Sequence, residues 1–144
     1  MDVGAENLYL DLYAVFAEDS EYLQPDGGSR SPVTDMLIMG AMGGALASFT
    51  TGFFTRLGER AADGVAGRIV SLLRRGERKD VIRALALLEP YLPELSESLE
   101  DERLAEEAWV SSMLYRLGFP ETTAHEVAGA VLDRLREQGR RQIL

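Results

Sequence analysis

Cysteine is absent from this chain, and with it go disulfides, thiolate metal sites and cysteine nucleophiles. Nothing in the composition then asks for an oxidising compartment, so a cytoplasmic setting is expected. Histidine occurs once, as His125. Its spacing from Glu121 puts two ligands on one helix face, short of the three or four that a metal site takes. An exposed residue in the first turn of a helix is the expectation. Serine and threonine have no Gly-x-Ser-x-Gly setting, and the glycines at 40–44 lack both the Gly-Lys-Ser/Thr ending and the preceding strand of a phosphate loop. The acids between Glu94 and Glu107 read as a solvated face, not as carboxylates tuned by burial. No cofactor, metal or enzymatic activity is expected. A basic leader is missing too: Asp2, Glu6 and Asp11 open the chain, so no signal peptide is read. There is no convincing strand pattern, no repeat of fixed period and no low-complexity tract.

What the chain does have is an uncharged run of twenty residues, Met36 to Thr55, in a protein of which 27% is charged. As a helix rising ~1.5 Å per residue it measures about 30 Å, the thickness of a bilayer core. Gly40, Gly44, Ser48 and Gly52 recur every four residues and form a stripe of small side chains, the small-xxx-small pattern by which helices approach closely. Four glycines and three threonines in the run lower its oiliness, and each interior glycine costs up to ~1 kcal/mol of helix propensity. The run therefore reads in two ways: a helix that enters lipid, or the buried central helix of a bundle. Covered Leu37, Leu46 and Phe53 favour the bundle, and outward ones favour lipid or an assembly interface.

Charge is laid out in blocks. Residues 1–35 hold eight acids and one base, residues 56–83 eight bases and four acids, and residues 84–144 twelve acids and six bases, or -7, +4 and -6 of the net -9. The one basic block directly follows the apolar run, and its Arg60, Arg68, Arg74 and Arg75 are candidates to meet anionic headgroups. Nucleic acid is not an expected partner, because the acidic remainder opposes phosphate and the basic block has no interleaved aromatics.

Periodicity predicts helices nearly throughout. A first helix over 4–23 carries Leu8, Leu12, Val15 and Phe16 on one face. Residues 24–32 form a loop, and Thr34 or Asp35 caps the apolar helix. Val65, Ile69, Leu72 and Leu73 mark an amphipathic helix ending at Gly76, and a short helix over 79–89 precedes breaks at Pro90 and Pro93. Leu104, Ala108, Trp109, Met113, Leu114 and Leu117 then make one apolar face up to a glycine cap at Gly118. Thr123 and Glu126 fit a capping box for a last helix with Val127, Val131, Leu132 and Leu135.

The expectation is an all-α, single-domain bundle of about five to six helices around a long apolar, glycine-rich central helix. Its parts are an acidic helix and loop over 1–33, the apolar and basic helices over 34–76, and the C-terminal helices over 77–144. The turn Leu117-Gly118-Phe119 resembles the Met-Gly-Phe turn of ubiquitin-associated domains over about thirty residues. It departs from them in its leucine and in having no obvious third helix after Arg136, so no binding residue is carried over. The order of small-residue apolar helix and Arg-rich helix looks like that of bacterial toxin or defence effectors and phage holins. Two functions are therefore expected. One is a membrane-associated or membrane-permeabilising protein that acts by insertion and self-association of 36–55 on anionic lipid. The alternative is a soluble protein-protein interaction or oligomerisation module. In both a homo-oligomer is expected.

Overall fold

The computed structural model describes residues 3–18, 32–58 and 64–143. Among them the chain forms α1 (Val3–Glu18), α2 (Pro32–Leu57), α3 (Val65–Arg75), α4 (Arg78–Leu88), a 3₁₀ turn at Glu89–Tyr91, α5 (Leu92–Ser96), α6 (Glu100–Arg116) and α7 (Glu121–Ile143), with no strand. This is the expected all-α bundle, with six long helices and a five-residue α5. Helix α2 packs on α1, α3 and α6, while α7 packs on α1, α5 and α6, and α4 joins α1 to α3.

Several boundaries differ from expectation for identifiable reasons. Helix α2 starts at Pro32, whose fixed φ suits a first turn and whose missing N–H is no loss there. Thr34 and Asp35 are thus inside the helix, not caps on it; Thr34 is buried, and Tyr13 of α1 donates a 2.6 Å hydrogen bond to Asp35 Oδ1. In the same way α7 starts directly after Pro120, and Ala124 N–H donates to the Pro120 carbonyl at 2.8 Å. The capping box at Thr123 and Glu126 does not form, because both residues already lie within the helix. Helix α7 then runs unbroken to Ile143, which removes the third helix that a ubiquitin-associated domain would need. The expected extension of α1 to Leu23 and the loop that follows lie outside the described residues.

Two glycines close helices as expected. Gly76 has φ 71°. Gly118 has φ 107°, and beyond it Phe119 N–H reaches back to the Leu114 carbonyl at 3.1 Å. That six-residue closure is accompanied by the complete burial of the Phe119 ring, the hydrophobic contact typical of such caps.

The core is one continuous cluster to which every long helix contributes. Helix α2 supplies its centre. Leu46 and Phe53 are fully buried, whereas Leu37 remains 39% exposed. Phe49 stacks on Phe53 at 5.2 Å, and Phe54 meets Tyr91 edge-on at 4.9 Å, arrangements that add to area burial. The threonines that dilute the apolar run are absorbed locally. Thr50, Thr51 and Thr55 donate to the carbonyls of Leu46, Ala47 and Thr51 at 2.8, 2.9 and 2.7 Å, the i−4 bonding available to a helical hydroxyl.

Close backbone approach depends on glycine at two places in the core. A Cβ at Gly43 would lie 2.5 Å from the Leu73 carbonyl oxygen of α3, and one at Gly139 would collide with the Leu92 backbone at the start of α5. A Cβ at Gly129, in the middle of α7, would meet only Glu107 at ordinary contact distance. The same substitution in one helix should therefore act with opposite sign. Gly139→Ala is expected to destabilise by ~1 to 3 kcal/mol and Gly129→Ala to stabilise by ~0.5 to 1 kcal/mol, both read from urea unfolding midpoints.

Candidate helix-docking surface

Helix α6 is the element whose packing departs furthest from its sequence pattern. The face that periodicity assigns to the core is turned mostly outward: Leu104 is 54% exposed, Trp109 38% and Leu117 43%, and Ala108 is exposed as well. Only Leu114 of that face is fully buried, with Met113 half-buried. The buried line is instead Glu106, Val110 and Leu114, with Ser111 beside it. This corrects two expectations, the orientation of the apolar face and the solvation of Glu106, while Glu94, Glu97, Glu100 and Asp101 are exposed as expected. Glu106 has no exposed surface at all.

The cause lies across the bundle, at the charged end of α2. Arg56 projects from the last turn of that helix, half-buried under α6. Its Nε donates to Glu106 Oε1 at 2.6 Å and its Nη1 to Glu102 Oε2 at 2.8 Å, while its guanidinium lies 5.3 Å from the centre of the Phe53 ring. A half-buried cation requires a buried anion, so α6 presents its acidic line inward and its apolar line follows outward. Arg103 supports the same rotation by donating to Asp133 of α7 at 2.8 Å.

Burial still acts on Glu106. Desolvation pushes its carboxyl above the ordinary carboxylate range, against the pull of the Arg56 hydrogen bond and charge. The folded protein therefore holds this proton more tightly than the unfolded chain does. By linkage the carboxyl favours folding most below its unfolded pKa, and that contribution declines as pH rises from there through the raised folded value. Glu106 Oε2, Arg56 Nη2 and Arg136 Nε have no hydrogen-bond partner among the described residues.

The small-residue stripe of α2 lies along this same contact. A Cβ at Gly52 would fall inside the Trp109 ring, one at Gly44 would just touch the Leu117 side chain at 4.0 Å, and one at Gly40 would meet nothing. Ser48 Oγ donates a long 3.4 Å bond to the Trp109 carbonyl. Three of the four predicted positions, Gly44, Ser48 and Gly52, are thus brought against α6, and Gly40 is left exposed. Together they floor an open groove of about 480 Å³ between α2, α3 and α6, with Trp109 and Met113 on one bank and Arg74 on the other.

Of the remaining predicted residues, only Arg74 joins the stripe at this groove. Arg68 and Arg74 are exposed on α3, Arg75 lies 3.8 Å from Asp80, and Arg60 lies outside the described residues. His125 is exposed, as expected, beside a second groove of about 370 Å³ between α6 and α7 that Ala108, Ser111 and Tyr115 also line. Helix α6 is therefore a ridge between two grooves, with Leu104, Ala108, Trp109 and Tyr115 outward. That relief suits the packing of another helix, since helix surfaces associate by fitting ridges into grooves. No cluster of three or more potential metal ligands occurs among the described residues.

No family model matches the chain, and no curated protein or solved structure matches it either.

Two measurements check this geometry. Arg56→Met, which strands the buried Glu106 carboxylate, is expected to cost about 3 to 5 kcal/mol, and adding Glu106→Leu should recover most of that loss in chemical denaturation. Trp109 is the only tryptophan. Gly52→Ala should therefore displace its ring and shift its fluorescence emission to the red, while Gly129→Ala leaves the spectrum unchanged.

Proposed function

We propose that the protein is an all-α interaction module that docks a helical protein partner on the outward face of α6 and its flanking grooves. The observation that carries this reading is the inverted helix. A segment that buries Glu106 and Ser111 while leaving Leu104 at 54%, Trp109 at 38% and Tyr115 at 62% exposure keeps apolar surface where a partner can reach it. Exposed apolar side chains on a ridge between two grooves offer a helix the relief into which it can pack. The packing of α2 supports the same choice, because its Leu46, Phe49 and Phe53 are spent on the protein's own core.

A membrane role is the second reading. Helix α2 is the one described helix long and apolar enough to cross a bilayer, and Val33, Met36, Leu37 and Gly40 form an exposed line on its first half. Arg68 and Arg74 are exposed on the neighbouring helix, where cations can meet anionic lipid. Insertion would require α2 to leave the core and to break the Arg56–Glu106 pair, so this reading needs a trigger that opens the bundle.

A photo-crosslinking residue placed at Ala108 in the expressing cells tests the first reading against the second, with a control at the exposed Glu94. The expected outcome is a protein adduct at 108 and none at 94, with no flotation on anionic vesicles and no dye release. Absence of any adduct at 108 would overturn the docking reading, and adducts to lipid together with vesicle leakage would replace it with the membrane one.

A further inference from the structure

The outward face of α6 carries more information than its apolarity. Its central line runs Asp101, Ala105, Ala108, Ser112 and Arg116, all exposed, at spacings of four, three, four and four residues. The line opens with an acid, closes with a base and is small in between. Neither Asp101 nor Arg116 takes part in an ion pair among the described residues, although Arg103, Glu102 and Glu106 of the same helix all do.

We infer that this face pairs antiparallel with the same face of a second copy of the chain. The inference rests on the docking reading above and names its partner. A two-fold axis beside Ala108 would lay Asp101 of each copy against Arg116 of the partner subunit, and would do so twice, as an isologous interface requires. A parallel arrangement would set acid against acid and base against base. An unrelated helix would have no reason to match charges fifteen residues, or about 22 Å, apart along α6.

The side chains fit the same arrangement. Ala105, Ala108 and Ser112 let two helix backbones approach closely along the centre of the face. Leu104 and Tyr115 stand to one side of it and Trp109 to the other, next to the two grooves, where each can pack beside the opposing helix. Antiparallel pairing also sets the positive end of each helix dipole beside the negative end of the other, which favours association. The overall charge of -9 opposes it, so the expected complex is a reversible dimer that strengthens with protein concentration.

Sedimentation velocity over roughly 1 to 200 µM, at about 0.15 M salt where the screening length is ~8 Å, tests the inference. The native chain should shift from monomer to dimer across that range. Asp101→Arg and Arg116→Asp, each at an exposed site, should each weaken the dimer on the order of tenfold, because each turns two attractive contacts into repulsive ones. The double charge swap D101R/R116D should restore the dimer to within about threefold of native. Circular dichroism of each variant confirms that the fold is retained.

A chain that stays monomeric throughout, or a dimer indifferent to both single reversals, would overturn the pairing. The crosslinking result separates that failure from failure of the docking reading. A monomer whose position 108 captures a different protein sinks self-pairing alone, whereas a monomer whose position 108 captures nothing sinks both.

Discussion

The bond between Arg56 and Glu106 organises this protein. Arg56 closes the long apolar helix, where a cation complements the helix dipole, but the bundle covers that end and the charge needs an anion beside it. Glu106 supplies one, fifty positions away in the sequence. A buried ion pair of this kind contributes little to net stability, because desolvation consumes most of the Coulombic gain, yet it strongly disfavours arrangements that leave either charge alone. It thus selects the rotation of α6 about its own axis, and the outward turn of Leu104, Ala108 and Trp109 follows from that selection.

Backbone proximity is the second constraint, and it comes from glycine. At Gly43 α2 meets the main chain of α3, and at Gly139 α7 meets that of α5, while at Gly52 the missing side chain makes room for an indole ring. Because these sites lie on α2 and α7, the two long helices are held by close contact on different sides of the core. The open groove beside α6 lies over the small residues Gly44, Ser48 and Gly52 of α2.

Much of this was legible in the sequence where the signal was local. The face of α3, its stop at Gly76, the buried line of α7 and the closure at Gly118 all follow from period and punctuation. The first turns of α2 and α7 were misread because Thr34 and Thr123 resemble caps, although Pro32 and Pro120 carried the competing signal for an earlier start. The α6 face was not legible, since its apolar period pointed inward and the residue that overrules it sits on another helix. The small-residue stripe was visible as a packing surface. That its neighbour would be Trp109 of the same chain depended on that same rotation.

Helix α1 packs against α7, so the two ends of the described chain close on one another. About a hundred residues separate Glu18 from Glu121, and at ~5 to 20 residues per second a ribosome needs roughly 5 to 20 s to bridge them. Throughout that interval α1 has only α2 and α4 to pack on and lacks the third helix that completes its cover. The bundle can therefore close around α1 only after most of the chain has been made, so its fold is completed late and from the far end.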